Sequence, residues 1–252
     1  MSLEDATAFV TGGSGGLGAR ICIALAREGA DVAVGFRNGR ERAEAVCADI
    51  QASGRRALAV QIDQTDPVAV DEAVAATVAD FGGLDLLVNN AGVASGGRSI
   101  PAGDLDALTP EFWDELMAAN VRGPYLAARA AAPHLRASHW GRIVNLGSTI
   151  GHGPWGAAAA YAPSKGAVAP LTRFLAAALS PDVTVNCVAP GLMEGTQMSG
   201  GAPESFVGAW RERAVLNATT GLDDVAAHVV AFCKSATTTG QVLVVDGGIH
   251  FD

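Results

Sequence analysis

Short apolar runs alternate with longer amphipathic segments along the whole chain. Seven of these runs are almost continuously apolar, which is typical of strands covered by helices on both faces. They span residues 6–11, 31–36, 57–62, 84–90, 141–147, 183–189 and 241–246. Helical periodicity fills the intervals over 17–28, 40–53, 67–81, 111–137, 158–180 and 223–234. This alternation predicts an α/β fold, with a doubly wound, seven-stranded parallel sheet flanked by helices and right-handed crossovers.

The pattern has two irregular regions but no internal repeat or linker. We therefore expect residues 1–252 to form one domain. Residues 93–110 follow the fourth strand, and residues 191–221 follow the sixth. Ligands of open α/β sheets bind outside the carboxyl ends of the strands, where both regions lie. We expect a substrate loop at about 191–221.

Composition narrows the class of protein. A net charge of −9 argues against a general affinity for nucleic acid or anionic membranes. The acidic N-terminus and the lack of an 18-residue apolar run predict a soluble, cytoplasmic protein. The cysteines and histidines show no metal-ligand spacing, so we expect no metal site. We expect all four cysteines to be reduced and mostly buried: Cys22, Cys47, Cys187 and Cys233.

A glycine-rich segment, TGGSGGLG, joins the first strand to the first helix over residues 11–18. Glycines let a backbone turn sharply and approach a pyrophosphate, whose charge is favoured by the exposed amides of a helix N-terminus. The spacing is T-G-x-x-x-G-x-G, which differs from the G-x-G-x-x-G of most dinucleotide dehydrogenases. Its position between strand and helix predicts a dinucleotide site.

A tyrosine and a lysine, Tyr161 and Lys165, stand four residues apart in YAPSK. The chain has only two tyrosines and two lysines, so this pairing is unusual. Neighbours at this spacing share a helix face and often pack together without chemistry. The pair alone leaves the question open.

Six motifs taken together resemble the short-chain dehydrogenase/reductase family, in its common branch of about 250 residues. They are the glycine segment, NNAG at 89–92, Asn120, Ser148, YAPSK and the Pro-Gly pair at 190–191. The resemblance runs from about residue 6 to residue 248 and is strongest to members that act as 3-oxoacyl-acyl-carrier-protein reductases. It implies a Rossmann-type fold, a nicotinamide cofactor and a homotetramer or homodimer built through alanine-rich helices.

The resemblance also implies a catalytic tetrad of Asn120, Ser148, Tyr161 and Lys165. Tyr161 would give a proton to the carbonyl oxygen of a ketone during reduction and act as base in the reverse direction. A free tyrosine has a pKa near 10, and we expect the Lys165 ammonium, with the oxidised nicotinamide, to lower it. Ser148 would orient the substrate oxygen, with Thr149 as a competitor for this role. Asn120 would link Lys165 to solvent through water.

Residues at the end of the second strand favour NADP(H) over NAD(H). An acidic residue there would bind the ribose hydroxyls of NAD, but this chain has Phe36 followed by Arg37. A guanidinium can grip a 2′-phosphate through two hydrogen bonds. Ser14 and Asn38 can contribute further hydrogen bonds. NAD(H) remains the alternative.

The other expected cofactor contacts follow the family motifs along the strand ends. A threonine contact with the carboxamide usually lies four residues after the glycine of the Pro-Gly pair. Gly195 stands at that position and Thr196 follows it, so we expect Thr196 to make the contact. The cofactor set, besides the residues named above and Tyr161 and Lys165, is Gly12, Gly16, Leu17, Gly18, Asp63, Gln64, Asn90, Ala91, Gly92, Pro190, Gly191, Met193 and Thr196.

The substrate pocket is expected around His152, Trp155 and Trp210, with apolar walls. An anionic tail could meet Arg98, Arg211 or Arg213. The expected substrate is a small-molecule carbonyl or alcohol, best matched by a 3-oxoacyl thioester or a similar ketone. Two alternatives stay open: an NAD-dependent alcohol, sugar or polyol dehydrogenase, and a non-catalytic nicotinamide-binding regulator. Pro170 should bend the helix that carries Tyr161 and Lys165 without changing their spacing.

Overall fold

One parallel sheet of seven strands forms the centre of the protein, as the apolar pattern predicts. The computed structural model describes residues 2–94, 100, 104–153, 160–200 and 202–251. The strand order is β3-β2-β1-β4-β5-β6-β7. The strands are β1 (Thr7–Thr11), β2 (Asp31–Phe36), β3 (Ala57–Gln61), β4 (Leu86–Asn89), β5 (Gly141–Leu146), β6 (Val183–Pro190) and β7 (Val242–Val245).

Helices cover both faces of the sheet, and the sheet separates two apolar cores. The first core packs α1, α2 and α9 on one face, and the second packs α3, α5 and α7 on the other. β1 and β5 are buried along their whole length because helices lie on both sides of them. The α-helices are α1 (Gly16–Arg27), α2 (Arg40–Ala52), α3 (Pro67–Phe81), α4 (Pro110–Met117), α5 (Gly123–Ala137), α6 (Tyr161–Gly166), α7 (Val168–Ala178), α8 (Glu204–Arg213) and α9 (Leu222–Lys234).

The chain reverses direction across the sheet between β1 and β4, which lie side by side. Their register pairs Thr11 with Asn89, so both strands end at the same edge. Such a switch point opens a crevice between the loops that leave the two strands. The glycine loop, residues 11–18, and the NNAG segment, residues 89–92, therefore meet at this crevice.

The helical segment predicted over 111–137 is confirmed in its extent, but it contains a π-helical turn that the sequence did not predict. α4 ends at Met117, a π-helical turn spans Ala118–Arg122, and α5 begins at Gly123. A π turn inserts one extra residue per turn and is common at functional sites. Apolar periodicity did not reveal it, because the residues around it are mostly small and do not show the one-position shift in the buried face. α5 then continues through Pro133 to Ala137.

The helix that carries Tyr161 and Lys165 is interrupted, as Pro170 predicts. α6 ends at Gly166 and α7 starts at Val168, after Ala167. Proline has no amide proton to give to the carbonyl four residues earlier, which here is that of Gly166. Tyr161 and Lys165 both lie in α6 and are both buried, so the interruption falls after the pair. The first residues of the predicted helix, 158 and 159, lie outside the described residues.

Residues 191–221 contain a helix that the sequence did not predict. α8 carries only one buried residue, Val207, so its apolar pattern is weak. The prediction for the cysteines is confirmed, since all four are free and buried. Among the described residues, no helix is long and apolar enough to cross a membrane. The same residues hold no cluster of three or more His, Cys, Asp or Glu that could bind a metal ion.

Candidate active site

Ser148 and Tyr161 meet at the carboxyl edge of β5. Ser148 caps a short 3-10 turn, Thr149–His152, by accepting a hydrogen bond from the Ile150 amide at 3.3 Å. The Ser148 hydroxyl lies 3.4 Å from the Pro190 carbonyl oxygen and is also in hydrogen-bonding contact with the Tyr161 hydroxyl, whose pKa it lowers. Thr149 is 1 % exposed, and its hydroxyl also donates to Pro190. Ser148 is thus the hydroxyl beside Tyr161.

Burial dominates the acidity of Tyr161. Burial raises its pKa to about 12, and the Ser148 hydrogen bond only partly opposes this. Lys165 is not among the groups that shift the Tyr161 pKa in the chain on its own, and its effect together with the oxidised nicotinamide stays a prediction. A buried phenolate loses its hydration, and this cost exceeds the stabilisation available from its neighbours. The Tyr161 hydroxyl therefore stays protonated near neutral pH and can act as a proton donor.

Lys165 is buried with its ammonium against backbone oxygen. Its Nζ donates to the Leu146 carbonyl at 2.9 Å, at the end of β5. Burial lowers the pKa of Lys165 to about 8, although the neighbouring Cys187 works against this shift. The Nζ also lies 3.4 Å from the point that a Cβ on Gly92 would occupy. The Lys165 side chain, the NNAG segment and the end of β5 therefore lie next to one another.

Asn120 lies in the π-helical turn and is 1 % exposed. Its Oδ1 accepts from the Val93 amide at 2.8 Å, and its Nδ2 donates to the Val93 carbonyl at 2.7 Å. The same Nδ2 donates to the Ser164 hydroxyl at 2.9 Å, and Ser164 in turn donates to the Tyr161 carbonyl at 2.7 Å. Asn120 thus ties the NNAG segment to α6. Its link to water stays a prediction.

The glycine loop fits a pyrophosphate. Gly12 and Gly16 have positive φ angles of 65° and 54°, which glycine adopts without strain. A Cβ on Gly18 would collide with the Gly12 carbonyl, so α1 packs directly on the loop. α1 begins at Gly16 without a side-chain cap, and its first amides have no partner within the helix. Leu17 packs into the first core behind this turn.

Asn90 joins the NNAG segment to the glycine loop. Its Nδ2 donates to the carbonyls of Thr11 and Gly12, both at 3.0 Å. The amides of Asn90 and Ala91 both donate to the Thr11 hydroxyl at 3.1 Å. A Cβ on Gly12 would lie 3.0 Å from the Cα of Ala91, so the two segments are in close contact. This contact forms the floor of the crevice.

Arg37 stands at the end of β2 in an ion pair with Asp63. The Arg37 Nε lies 3.1 Å from the Asp63 Oδ2, and both side chains are partly exposed. Burial alone would raise the pKa of Asp63, but hydrogen bonds from Thr65 and the charge of Arg37 together lower it. Asp66, and not Asp63, caps α3. Arg37 and Asp63, two expected cofactor residues, therefore lie side by side.

The remaining residues of the adenine end are close by. Asn38 follows Arg37 and is exposed, and its carbonyl accepts a hydrogen bond from Arg42. Ser14 lies half-buried in the glycine loop. Gln64 differs from these, because its Nε2 donates to the Ala91 carbonyl at 3.1 Å and to the Ala119 carbonyl at 2.8 Å. Both amide protons of Gln64 are used, which leaves its backbone for the expected cofactor contact.

The turn after β6 brings the start of the substrate loop over the crevice. Gly191 follows Pro190 so tightly that a Cβ there would lie 2.8 Å from the Asp246 Cβ and the Thr220 hydroxyl. Gly195 has a φ of 72° and places Thr196 over Gly16 of the glycine loop, at 3.7 Å from its would-be Cβ. The contact of Thr196 with a nicotinamide carboxamide stays a prediction. Met193 packs against the first core.

The segment expected to form the substrate loop also reaches Tyr161, which the sequence did not indicate. The Tyr161 hydroxyl donates to the Met198 sulfur at 3.4 Å. Thr196 and Ser199 bond to each other through their hydroxyls at 2.9 Å, so Met198 is carried by a compact turn. A methionine in a glycine-rich loop carries no sequence signal for such a contact.

The expected substrate residues are spread around this loop. The His152 ring lies 6.2 Å from the His250 ring, measured between centroids. Trp210 stacks edge-on against Phe206 in α8. Trp155 and Arg98 lie outside the described residues. The other two arginines are already engaged: Arg211 pairs with Glu194 and Glu204, and Arg213 lies over the Trp210 ring.

Comparisons with known proteins agree with this geometry. The short chain dehydrogenase family matches residues 6–205. The chain is 40 % identical to a putative ketoacyl reductase 2 of granaticin polyketide synthase from Streptomyces violaceoruber, over 98 % of this chain and 97 % of that protein. It is 34 % identical to the 3-oxoacyl-[acyl-carrier-protein] reductase of Staphylococcus aureus, over 97 % and 98 % of the two chains.

Solved structures show the same architecture. A short chain dehydrogenase from Burkholderia cenocepacia, crystallised in complex with NADP, superposes with a TM-score of 0.88 at 42 % identity, covering 99 % of both chains. A dehydrogenase/reductase from Sinorhizobium meliloti superposes with a TM-score of 0.90 at 40 % identity, covering 99 % of this chain and 97 % of that one. From its sequence, its sheet and its site, the chain belongs to the short-chain dehydrogenase/reductase family of oxidoreductases.

Proposed function

We propose that the protein is an NADP(H)-dependent reductase that converts a ketone to a secondary alcohol. The observation that carries this proposal is the meeting of Tyr161, Ser148 and Lys165 at the crevice between the glycine loop and the NNAG segment. A protonated phenol, a neutral hydroxyl and a buried ammonium occupy one edge of the sheet. This set can bind a carbonyl oxygen and give it a proton.

Each residue has one task in the proposed reaction. Ser148 donates a hydrogen bond to the carbonyl oxygen and holds it beside the Tyr161 hydroxyl. The bound nicotinamide supplies the hydride for the carbonyl carbon. As charge develops on the oxygen, the Tyr161 O–H bond breaks and its proton moves to the substrate. The Lys165 ammonium stabilises the phenolate that is left, and water near Asn120 returns the proton.

The raised pKa of Tyr161 keeps the phenol protonated near neutral pH, which is the form that ketone reduction needs. An alkoxide is a stronger base than a phenolate, so a phenol with a pKa of about 12 still gives it a proton. Oxidation of an alcohol would instead need the phenolate as base near neutral pH, which burial opposes.

The cofactor preference rests on Phe36 and Arg37. Phe36 ends β2 buried, so no carboxylate stands there to accept from ribose hydroxyls. Arg37 is largely exposed and uses its Nε for Asp63. A guanidinium has five N–H donors, so Arg37 can keep this pair and bind a 2′-phosphate. The complex of the Burkholderia cenocepacia relative with NADP supports this choice.

We propose a 3-oxoacyl thioester or a similar β-ketone as the substrate. Two relatives that match nearly the whole chain are named as ketoacyl or 3-oxoacyl reductases. Met198 and Trp210 supply apolar surface beside Tyr161 and in α8, which suits an acyl chain.

We also propose a homotetramer. Phe174 in α7 is 60 % exposed and Tyr125 in α5 is 42 % exposed, on helices otherwise rich in alanine. Two such faces pack closely across a twofold axis. Light scattering after size exclusion should give four subunits for the wild type and fewer for Phe174→Glu; an unchanged mass would remove these helices from the interface.

A screen of carbonyls and alcohols with both cofactors tests the proposed function. We expect NADPH-dependent reduction of 3-oxoacyl thioesters, and a drop of at least about 10³-fold in Tyr161→Phe, with NADPH affinity within about twofold of wild type. A clear preference for NADH would favour the alcohol, sugar or polyol dehydrogenase alternative. Tight NADPH binding without turnover of any compound would instead favour a non-catalytic regulator.

A further inference from the structure

Gln64 connects two segments that hold the catalytic residues. One segment is Ala91–Val93, which leaves β4, and the other is Ala119–Asn120, inside the π-helical turn. We propose that Gln64 is a positioning residue, whose buried amide fixes the π-helical turn against the NNAG segment and thereby sets the position of Asn120, Lys165 and Tyr161. This inference rests on the proposed function and adds to it a role for the Gln64 side chain that is separate from the cofactor contact expected of its backbone.

The geometry consists of two successive bridges. Gln64 makes the first, with its Nε2 on the Ala91 and Ala119 carbonyls at 3.1 and 2.8 Å. Asn120 makes the second, with two hydrogen bonds to Val93. Gly92 lies between the bridges, and the Lys165 Nζ and Asn120 Oδ1 lie 3.4 and 3.0 Å from its would-be Cβ. Loss of the hydrogen bonds of either Gln64 or Asn120 would therefore displace groups that lie close to the Lys165 ammonium.

The π-helical turn makes the Gln64 bond necessary. The Gly123 amide donates five residues back to the Ala118 carbonyl and closes the wide turn. The Ala119 carbonyl takes the Gln64 amide, and Gln64 is only 8 % exposed. A buried carbonyl that lost this donor would favour a different local winding of the helix. Asn120 is the next residue, so its side chain would turn with it.

The lack of a side chain at Gly123 leaves room for the Gln64 side chain. A Cβ at Gly123 would lie 2.9 Å from the Gln64 Cγ and 3.0 Å from its Cδ. Gly123 has φ −57° and ψ −55°, an ordinary helical conformation that alanine adopts readily. The glycine is thus required by the neighbouring side chain and not by the backbone.

The first test replaces Gln64 with methionine, which keeps the volume and removes both donors. We expect kcat to fall about 30-fold, with KM for NADPH and its Kd within about twofold of wild type. Gln61→Met is the matched control: Gln61 lies three residues earlier, is exposed, and donates only to the Arg37 carbonyl. A large rise in NADPH Kd with unchanged kcat would overturn the inference and make Gln64 a cofactor contact.

The second test uses Gly123→Ala as an independent way to displace Gln64. We expect kcat to fall about tenfold while the helix propensity at this position improves. In a Gln64→Ala background the space is free, so adding Gly123→Ala should cost less than about twofold more. Additive losses in this double-mutant cycle would show that Gly123 acts without Gln64.

Two further readouts separate positioning from stability and from the proposed function. Thr77→Val removes a buried hydrogen bond within α3, away from the site. If it matches the Tm loss of Gln64→Met and also its kcat loss, the inference fails. Hydrogen exchange of the Val93 amide, which bonds to Asn120, should speed up in Gln64→Met whether or not a substrate is known. Unchanged exchange there refutes the positioning role, and an inactive wild type refutes only the proposed function.

Discussion

Tyr161 is contacted by two regions of the molecule that are held in opposite ways. On one side lies the catalytic frame, which we define as residues 91–93, 118–123, 148–149 and α6. Among its polar side chains, Asn120, Ser164 and Lys165 are buried and bond to backbone atoms, as Asn120 does to Val93 and Lys165 to Leu146. On the other side lies the first part of the substrate loop, residues 192–200, hereafter the loop. It places Met198 on Tyr161 and is anchored by the exposed pair of Glu194 and Arg211.

This difference points to a division of labour, in which one region carries out the reaction and the other binds the substrate. Buried groups that bond to backbone are fixed in position, because leaving either partner without its hydrogen bond costs free energy. Exposed ion pairs are screened by solvent and salt, so they hold a loop only loosely. We infer that the frame sets the rate of proton transfer and that the loop sets affinity. The variants below test that division, from the largest expected effect to the smallest.

Lys165→Met should break the frame most severely. Without the ammonium, the Tyr161 phenolate has no neighbouring positive charge, so we expect kcat for ketone reduction to fall on the order of 10³-fold. The fold should survive, because burial lowers the pKa of Lys165 to about 8, which means that the folded chain is penalised for carrying this charge. That penalty is on the order of 3 kcal/mol. Steady-state kinetics and urea unfolding at pH 7 measure both effects.

The pH dependence of stability provides the control for Lys165. Between pH 8 and 10.5 the unfolded chain binds this proton and the folded chain does not, so the Lys165 contribution to stability rises with pH across that window. The advantage of Lys165→Met at pH 7 should therefore shrink as pH rises from 8 to 10. A variant that is far less stable than wild type at pH 7 would mean that the lost activity reflects lost structure.

The same pKa predicts how turnover depends on pH. Ketone reduction needs Tyr161 protonated and Lys165 charged. Burial keeps Tyr161 protonated up to a pKa of about 12, whereas Lys165 loses its proton near pH 8. We expect kcat to be level from pH 6 to about 7.5 and to fall above pH 8. A profile that rises through pH 8 would contradict this assignment and indicate that a deprotonated group is required.

Ser148→Ala and Thr149→Val form a matched pair inside the frame. Both hydroxyls donate to the Pro190 carbonyl, at 3.4 and 3.5 Å, but only that of Ser148 is bonded to Tyr161. We expect Ser148→Ala to lower kcat about 100-fold, the loss that follows removal of one oxygen-binding donor. Thr149→Val should lower it less than about threefold. Equal losses would show that the two hydroxyls share the role.

The sequence predicted the frame's chemistry better than its shape. The seven strands and the positions of Ser148, Tyr161 and Lys165 follow from apolar runs and from motifs that lie at strand ends. The π-helical turn at Asn120 was not predicted, because the small residues around it do not reveal the one-position shift that an extra residue makes in the apolar pattern. The raised pKa of Tyr161 was also missed, since the sequence does not reveal how completely the hydroxyl is buried.

The loop was harder to predict than the frame. Its contacts join residues far apart in sequence, such as Glu194 with Thr219 and Met198 with Tyr161. Neither contact joins two residues of the same helix or strand, so the spacing of residues in the sequence does not indicate it. The ion pair between Arg37 and Asp63 was missed for the same reason, although each residue was singled out separately.

Arg37→Ala should change which cofactor is used and leave the chemistry intact. Loss of a charge-assisted contact to the 2′-phosphate should lower kcat/KM for NADPH about 10- to 100-fold. The value for NADH should stay within about twofold. Asp63→Asn is the companion variant: it frees the Arg37 guanidinium from its carboxylate partner, so NADPH should bind about twofold more tightly. An equal loss for both cofactors would place Arg37 among the structural arginines.

Glu194→Gln should have the smallest effect, and it bears most directly on the comparison. The Thr219 hydroxyl and Arg211 hold the pKa of Glu194 below its ordinary value, so the carboxylate is charged at neutral pH and anchors the substrate loop. The amide keeps the shape and loses the charge. We expect KM for the ketone to rise about threefold and to become insensitive to salt, with kcat within about twofold, because the frame does not depend on this anchor. Glu204→Gln is the matched control, since it also removes a carboxylate from Arg211 but none from the loop. A fall in kcat without a change in KM would show that the loop also affects the rate of proton transfer. The proposed division between the two regions would then be wrong.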